Sequence, residues 1–153
     1  MQTTTVTTAI DTNEIVQTGR DLWDNWTNMW NGELSLARDI IADGFYAHLS
    51  NTLTADPATL RNAVEVEKWV IRVRNRYAKL VYATQAGPFV DVTAQTVTCY
   101  WKAQGVFAGL TGKPGDIVGK EFTVVGTDIL RFEDGKITEC WTMSVPLEID
   151  PLS

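Results

Sequence analysis

Apolar residues recur at helical spacing through much of the first half of the chain. From about Asp11 to Trp30 they fall every three or four positions, and Asn31-Gly32 then supplies a stop signal. Ser35 is a candidate N-cap for a shorter helix, which the Asp43-Gly44 pair ends. A third apolar stripe predicts a helix from about Leu60 to Tyr77. Three helices are therefore expected before most of the strands.

The second half of the chain changes to the alternating period of β-strands. Besides the short segment Phe45–Leu49, strands are predicted at Lys79–Ala86, Val90–Phe107, Lys120–Phe132 and Lys136–Val145. Turn signals separate them at Gly87-Pro88, Gly112–Gly119 and Asp134-Gly135. Helices followed by strands are typical of an α+β fold with an antiparallel sheet. Because no repeat or linker divides the chain, one domain is expected over 1–153, with a flexible segment 1–11 and a C-terminal extension 146–153.

Asp134-Gly135 is a strong hairpin signal, because both residues tolerate the positive φ of a tight primed turn. Pairing outward from this turn sets Phe132 opposite Ile137, Leu130 opposite Glu139, and Asp128 opposite Trp141. A bulged three-residue turn would shift this register by one residue.

Asp128 lies on the apolar side of its predicted strand. Alternation places it with Leu130 and Phe132 and sends Thr127 and Arg131 to the other side. A carboxylate among apolar groups is costly to keep charged, so its pKa rises toward the range that is useful for proton transfer. Asp128 is therefore the leading candidate for a catalytic residue. The alternative is a structural aspartate that satisfies backbone amides or pairs with a fixed partner.

His48 and Tyr46 share one side of the segment Phe45–Leu49. An imidazole titrates near neutral pH and suits acid–base work, and a tyrosine hydroxyl can donate a hydrogen bond to the same site. A hydrogen-bonded structural or surface histidine is the alternative. Five aromatic residues are candidate walls of an apolar cavity, with ordinary core packing as the alternative for each: Trp23, Trp26, Trp101, Phe107 and Trp141.

Composition excludes several classes of function. Thirteen basic against nineteen acidic residues give a net charge of -6, which repels nucleic acid. No apolar run is long enough to span a bilayer, and without a visible secretory signal a cytoplasmic protein is expected. Cys99 and Cys140 are expected to be reduced core residues. With one histidine, no Cys-x-x-Cys pair and no nucleotide-binding motif, neither a metal nor a cofactor is expected.

Several segments resemble the SnoaL-like group of the nuclear transport factor 2-like superfamily. They are "MWNGE" at 29–33, "FYAH" at 45–48, "GVFAG" at 105–109 and, most fully, "GKEFTVVGTDILRFEDGKITECW" at 119–141. The resemblance spans roughly Ile15 to Val145. It implies a cone with an open mouth, in which a curved antiparallel sheet wraps against three helices.

The resemblance also implies a set of candidate activities. The family includes polyketide cyclases, ketosteroid isomerase relatives, dehydratases, epoxide hydrolases and pocket proteins without known activity, so the fold alone does not decide the function. In the cyclases, the residue that resembles Asp128 is a general acid/base that needs no cofactor. Phe107 replaces a histidine often found in the family, and Thr142 and Val145 replace acidic residues. Epoxide hydrolysis with two carboxylates is therefore poorly supported.

The leading hypothesis is a cofactor-independent cyclase, isomerase or lyase that acts on a small apolar carbonyl compound, polyketide- or terpenoid-like. Asp128 would move a proton while His48 and Tyr46 polarise the carbonyl oxygen, and the five aromatic residues would shape the cavity. The competing hypothesis is a non-catalytic module of the same fold that binds a small ligand or forms a homodimer.

Overall fold

The computed structural model describes residues 11–50, 55–109 and 117–147. The predicted flexible segment 1–11, the predicted loop Gly112–Gly119 and the predicted extension 146–153 lie wholly or mostly outside these ranges. Within them the order of elements is α1 (Thr12–Trp30), α2 (Leu36–Ile40), β1 (Ile41–Leu49), α3 (Ala63–Arg74), β2 (Tyr77–Asp91), β3 (Thr96–Phe107), β4 (Glu121–Glu133) and β5 (Lys136–Pro146). The three helices and the curved, unclosed sheet confirm the predicted α+β class.

The two long helices start at side-chain caps and bury their apolar stripes. The Asp11 carboxylate accepts a hydrogen bond from the Asn13 amide at 2.9 Å, and the Asn62 side chain accepts one from the Glu65 amide at 3.0 Å. Ser35 is the N-cap residue of α2 as predicted, but its side chain makes no capping hydrogen bond, and α2 is only five residues long. The buried stripe residues of α1 and α3 are Leu22, Trp23, Trp26, Met29, Trp30, Val66, Trp69 and Val70.

The sheet has the strand order β1-β5-β4-β3-β2, and all pairs are antiparallel except β1 with β5. β1 begins at Ile41, earlier than predicted, because the second helix is so short. The predicted break at Gly87-Pro88 is also wrong. β2 runs through it, since an edge strand tolerates a proline and an irregular register. The chain turns instead at 92–95, where the Asp91 carboxylate accepts a hydrogen bond from the Ala94 amide at 2.9 Å.

The register between β4 and β5 differs from the prediction by one residue beyond the turn. Phe132 pairs with Ile137 as predicted, but Arg131 pairs with Glu139, so Thr138 is an extra residue in β5. This bulge makes two predicted pairings wrong, because Leu130 lies opposite Cys140, and Asp128 lies opposite Thr142. It also reverses the faces of β5: Thr142 points to the side that Asp128 occupies, and Trp141 points away from it.

The helices and the inner face of the sheet enclose one apolar core within the described ranges. Both cysteines are buried and free of disulfide bonds, as predicted. Burial and the nearby Asp128 carboxylate raise the pKa of the Cys99 thiol to about 12, and the pKa of Cys140 is raised by the same causes. Both thiols therefore stay protonated and are poor nucleophiles. No helix in the described part of the chain is long and apolar enough to cross a membrane.

Candidate active site

An open cavity of roughly 220 Å³ lies between the inner face of the sheet and helices α1 and α3. Its wall is largely aromatic because the buried stripes of both helices face β2 and β3 across it. Tilted and edge-on ring contacts hold these walls together, with centroids 4.8 Å apart for Trp30 and Trp69 and 5.3 Å apart for Tyr82 and Trp101. The aromatic residues that line the cavity are Trp23, Trp26, Trp30, Trp69, Tyr77, Tyr82, Trp101 and Phe122.

Asp128 is the acidic residue of this cavity. It lies in the middle of β4, is 6% exposed, and is the charged residue among the buried side chains of the described core. The Trp26 indole Nε1 donates a hydrogen bond to its Oδ2 atom at 3.0 Å. Desolvation raises the pKa of Asp128, while the nearby polar groups of Thr142, Trp26 and Trp101 act in the opposite direction. The pKa stays above its ordinary value, so the group is suited both to accept and to return a proton.

Two buried polar atoms of residues that line the cavity lack a hydrogen-bond partner within the described residues. One is an acceptor, Asp128 Oδ1, and the other is a donor, Trp101 Nε1. Buried polar atoms are nearly always hydrogen-bonded, because an unmet one costs about 1–3 kcal/mol. Trp101 is among the groups that lower the pKa of Asp128, so this donor lies close to the carboxylate, and a polar group of a ligand there would have both a donor and an acceptor beside it.

Gly126 makes room for the Trp101 ring. The two residues are directly paired between β3 and β4, and a Cβ atom added at Gly126 would collide with the indole ring of Trp101 and with the Met143 carbonyl oxygen. Because Gly126 has no side chain, the indole lies against β4, two residues before Asp128.

Tyr82 is a site residue that the sequence reasoning missed. It lies in β2, lines the cavity, and has its ring centroid 5.6 Å from that of Trp30. Burial first, and the Asp128 carboxylate second, raise its pKa, so the hydroxyl remains protonated and is a hydrogen-bond donor. The signal for it was the inward alternation of Leu80, Tyr82 and Thr84 in the same strand.

Three of the five aromatic residues predicted as walls meet Asp128 around the cavity, namely Trp23, Trp26 and Trp101. The Trp23 indole donates a hydrogen bond to the Thr84 hydroxyl at 2.8 Å, which ties α1 to β2. Phe107 stands behind the cavity wall, with its ring 4.8 Å from that of Phe122.

The other predicted site residues lie on the outer face of the sheet. Tyr46 and His48 point outward because alternation in β1 turns their neighbours Phe45 and Ala47 into the core. His48 stacks on Trp141 with centroids 4.8 Å apart, and its Nε2 atom lies 3.2 Å from a Glu139 carboxylate oxygen. The expectation that His48, Tyr46 and Trp141 share a cavity with Asp128 is therefore corrected: the sheet separates them.

The donor set of the cavity does not resemble a metal centre. No group of three or more His, Cys, Asp or Glu side chains that could hold a metal ion occurs in the ranges the structure describes. The groups available for catalysis are the Asp128 carboxylate and the neutral hydrogen-bond donors around it.

No protein-family model and no curated protein matches this sequence. Several solved structures, however, match this chain. IdmH from Streptomyces antibioticus, a proposed polyketide cyclase, is 23% identical, with a TM-score of 0.66 over 82% of this chain and 91% of its own. A proposed SnoaL-like polyketide cyclase from a Jannaschia species is 13% identical, with a TM-score of 0.66 over 84% of this chain and 85% of its own.

A nuclear transport factor 2-like protein of unknown function from an Exiguobacterium species is 20% identical, with a TM-score of 0.60 over 84% of this chain and 99% of its own. At these identities the likeness concerns the fold. It confirms the architecture that the sequence resemblance implied.

Proposed function

We propose that this chain, which has the fold of the SnoaL-like proteins of the nuclear transport factor 2-like superfamily, is a cofactor-independent enzyme that moves a proton beside a carbonyl group. The observation that carries the proposal is the buried Asp128 carboxylate, which lies in an aromatic cavity close to the N–H groups of Trp26 and Trp101. The reaction class is cyclisation, isomerisation or lysis of a small apolar carbonyl compound. Neighbours named as proposed polyketide cyclases favour a polyketide-like substrate.

In the proposed mechanism, ionised Asp128 accepts a proton from the carbon next to the carbonyl group. The C–H bond breaks and its electron pair moves into an enolate, whose oxygen receives hydrogen bonds from the Trp101 N–H and the Tyr82 O–H. In a ring closure the enolate carbon then attacks a second carbonyl carbon. Asp128 returns its proton to the alkoxide oxygen that forms, so the residue ends in its starting state.

The aromatic walls contribute by excluding water. Hydrogen bonds to a developing enolate are stronger in a cavity of low dielectric than in bulk water. The same environment raises the pKa of Asp128 and so brings it closer to the pKa of its carbon acid.

Hydrogen–deuterium exchange at the α-carbon of 2-tetralone in D₂O, followed by NMR, tests the proposal without knowledge of the natural substrate. Wild-type protein should accelerate exchange over buffer, and Asp128→Asn should lower the catalysed rate by about 10²- to 10⁴-fold. Glu133→Gln is the matched control, because it removes an exposed carboxylate from the same strand. Equal acceleration by wild type and Asp128→Asn would refute the role of Asp128, and exchange no faster than in buffer with either protein would favour the non-catalytic binding module.

We also propose that the outer face of the sheet pairs with a second copy of the chain. Tyr100, Met143 and Val145 are 42%, 70% and 60% exposed on that face. The five strands are 9, 15, 12, 13 and 11 residues long. At about 4.8 Å between strands and about 3.3 Å per residue they give a face of roughly 950 Å², which is enough for the area of about 800 Å² that one partner buries in a standard interface.

Light scattering after size exclusion tests the dimer. Wild-type protein should have twice the mass of the chain, and Met143→Glu should have the mass of one chain. Val64→Glu is the control, because Val64 is 51% exposed on α3 and away from the sheet. A monomeric wild type would refute this pairing.

A further inference from the structure

We infer that Asn31 is a positioning residue for Tyr82, because its side-chain amide holds the backbone of β2 so that the Tyr82 hydroxyl points at the reacting oxygen of the ligand. The inference rests on the proposed function, in which Tyr82 donates a hydrogen bond to that oxygen. Asn31 itself does not line the cavity, so it acts on the chemistry only through another residue.

Both halves of the Asn31 amide bond to the backbone of one residue in β2. The Tyr82 N–H donates a hydrogen bond to Asn31 Oδ1 at 2.8 Å, and the Asn31 Nδ2 group donates one to the Tyr82 carbonyl oxygen at 3.0 Å. β2 is an edge strand that pairs only with β3 in the described sheet, so these two backbone groups point away from the sheet. The Asn31 side chain therefore takes the place of a neighbouring strand at this one residue.

The turn after α1 does not require asparagine at this position. Asn31 is the C-cap residue of α1 and has an ordinary φ of -83°. The left-handed conformation that ends the helix falls on Gly32, which has a φ of 117°. Because the glycine makes the turn, the two hydrogen bonds to β2 are the reason that the structure gives for an amide side chain at residue 31.

A second side chain fixes the same junction. Arg74, the last residue of α3, donates hydrogen bonds from Nη1 to the Trp30 carbonyl oxygen at 2.7 Å and to the Leu80 carbonyl oxygen at 3.1 Å. The end of α1 is therefore tied to β2 at Leu80 and, through Asn31, at Tyr82. Arg74 continues to hold the two elements together when the Asn31 amide is removed, so a variant of Asn31 tests the position of Tyr82 more than the fold.

The hydrogen bonds of Asn31 set the direction of the Tyr82 ring. With the N–H and C=O groups of Tyr82 both held, its side chain leaves the backbone in a fixed direction, and the ring contacts Trp30 and Trp101 with centroids 5.6 and 5.3 Å away. The Asp128 carboxylate, after the larger effect of burial, raises the pKa of Tyr82, so the two groups lie in the same part of the cavity. A displacement of about 1 Å near a reacting group can cost a factor of about 10² in rate, so this alignment matters for the proposed reaction.

A matched pair of probes, 2-naphthol and naphthalene, tests the inference. 2-Naphthol is a planar analogue of the enol of 2-tetralone, and naphthalene lacks the oxygen. Equilibrium dialysis measures the dissociation constant of each. Wild-type protein should bind 2-naphthol more tightly than naphthalene, and Tyr82→Phe should lower this preference about fivefold. Asn31→Ala should weaken 2-naphthol about threefold or more, leave naphthalene unchanged, and have no further effect when combined with Tyr82→Phe.

Thr84→Val is the control variant, because it removes another side-chain hydrogen bond between α1 and β2, donated by Trp23 to Thr84 at 2.8 Å. Its effect on each probe should be the same with and without Tyr82→Phe. Asn31→Asp keeps an acceptor for the Tyr82 N–H and should give a smaller loss than Asn31→Ala. It is also the variant to measure if Asn31→Ala does not fold.

Three results would overturn the inference: Asn31 variants that weaken both probes alike, Asn31 variants whose effect on 2-naphthol is the same with and without Tyr82→Phe, and wild-type protein that does not prefer 2-naphthol. The two proposals fail separately. Exchange that is unaffected by Asp128→Asn refutes the proposed reaction and leaves the dependence of 2-naphthol binding on Asn31 intact, whereas loss of that dependence leaves the exchange by Asp128 intact.

Discussion

Replacing Asp128 by asparagine should change the pH dependence of stability in a direction that the structure determines. Desolvation raises the pKa of Asp128 in the folded chain above its value in the unfolded chain. The folded state therefore binds this proton more tightly, and the contribution to stability is complete below the ordinary aspartate pKa of about 3.9. Stability is lost as the pH rises from there through the folded-state pKa. At neutral pH, where Asp128 is ionised, the wild-type protein is therefore less stable than it would be with this carboxyl group protonated.

Asparagine has almost the same shape and is never charged. Its amide oxygen still accepts the hydrogen bond that Trp26 donates to Asp128 Oδ2 at 3.0 Å, so the substitution removes the charge and keeps this contact. Each unit of difference between the folded and unfolded pKa corresponds to about 1.4 kcal/mol. Removing a buried charge without loss of packing should therefore stabilise the protein at neutral pH by on the order of 1–3 kcal/mol.

Urea unfolding followed by tryptophan fluorescence, near pH 4 and near pH 7, measures the effect. The free-energy difference between Asp128→Asn and wild type cancels contributions from other titrating groups. This difference should favour the variant near pH 7 and shrink near pH 4, whereas Glu133→Gln, which changes an exposed carboxylate, should show little change. A variant that is less stable than wild type near pH 7 but not near pH 4 would refute the reasoning, because it would mean that the ionised carboxylate stabilises the fold.

Two further substitutions probe the walls of the cavity. Tyr82→Phe removes a donor beside the proposed enolate and should lower the rate of 2-tetralone exchange about tenfold or more, with an unchanged melting temperature; an unchanged rate would exclude Tyr82 from the mechanism. Gly126→Ala should destabilise the fold by about 1–3 kcal/mol in urea unfolding, because the new methyl group collides with the Trp101 ring. Equal stability of this variant and wild type would show that the indole ring moves aside readily.

Features with a local cause could be predicted from the sequence. The stripe around Trp26 depends on residues within one or two turns, and α1 and α3 lie close to the predicted positions. The inward direction of Asp128 follows from alternation within β4 alone, which is why this residue reaches the cavity as expected.

Features that depend on distant partners could not be predicted. The parallel pairing of β1 with β5 is one such feature, because the partner residues lie about ninety positions later in the chain. The outward direction of His48 was predictable, since Phe45 and Ala47 form the more apolar side of β1. The face of Trp141 depends on the bulge at Thr138, a residue that no turn motif marks. Tyr82 was predictable, since it lies in the strand predicted at Lys79–Ala86 and alternates there with exposed residues.

The bulge at Thr138 suggests a route by which such a cavity diversifies. With the extra residue in β5, the hydroxyl side chains of Thr142 and Ser144 face the cavity, and Trp141 and Met143 face outward. Deleting Thr138 would exchange these two sets in one event, because a shift of one residue reverses every side chain beyond it. The lining and the outer surface would change together. In this fold, a short insertion or deletion changes more of the side chains that line the cavity than any single substitution does.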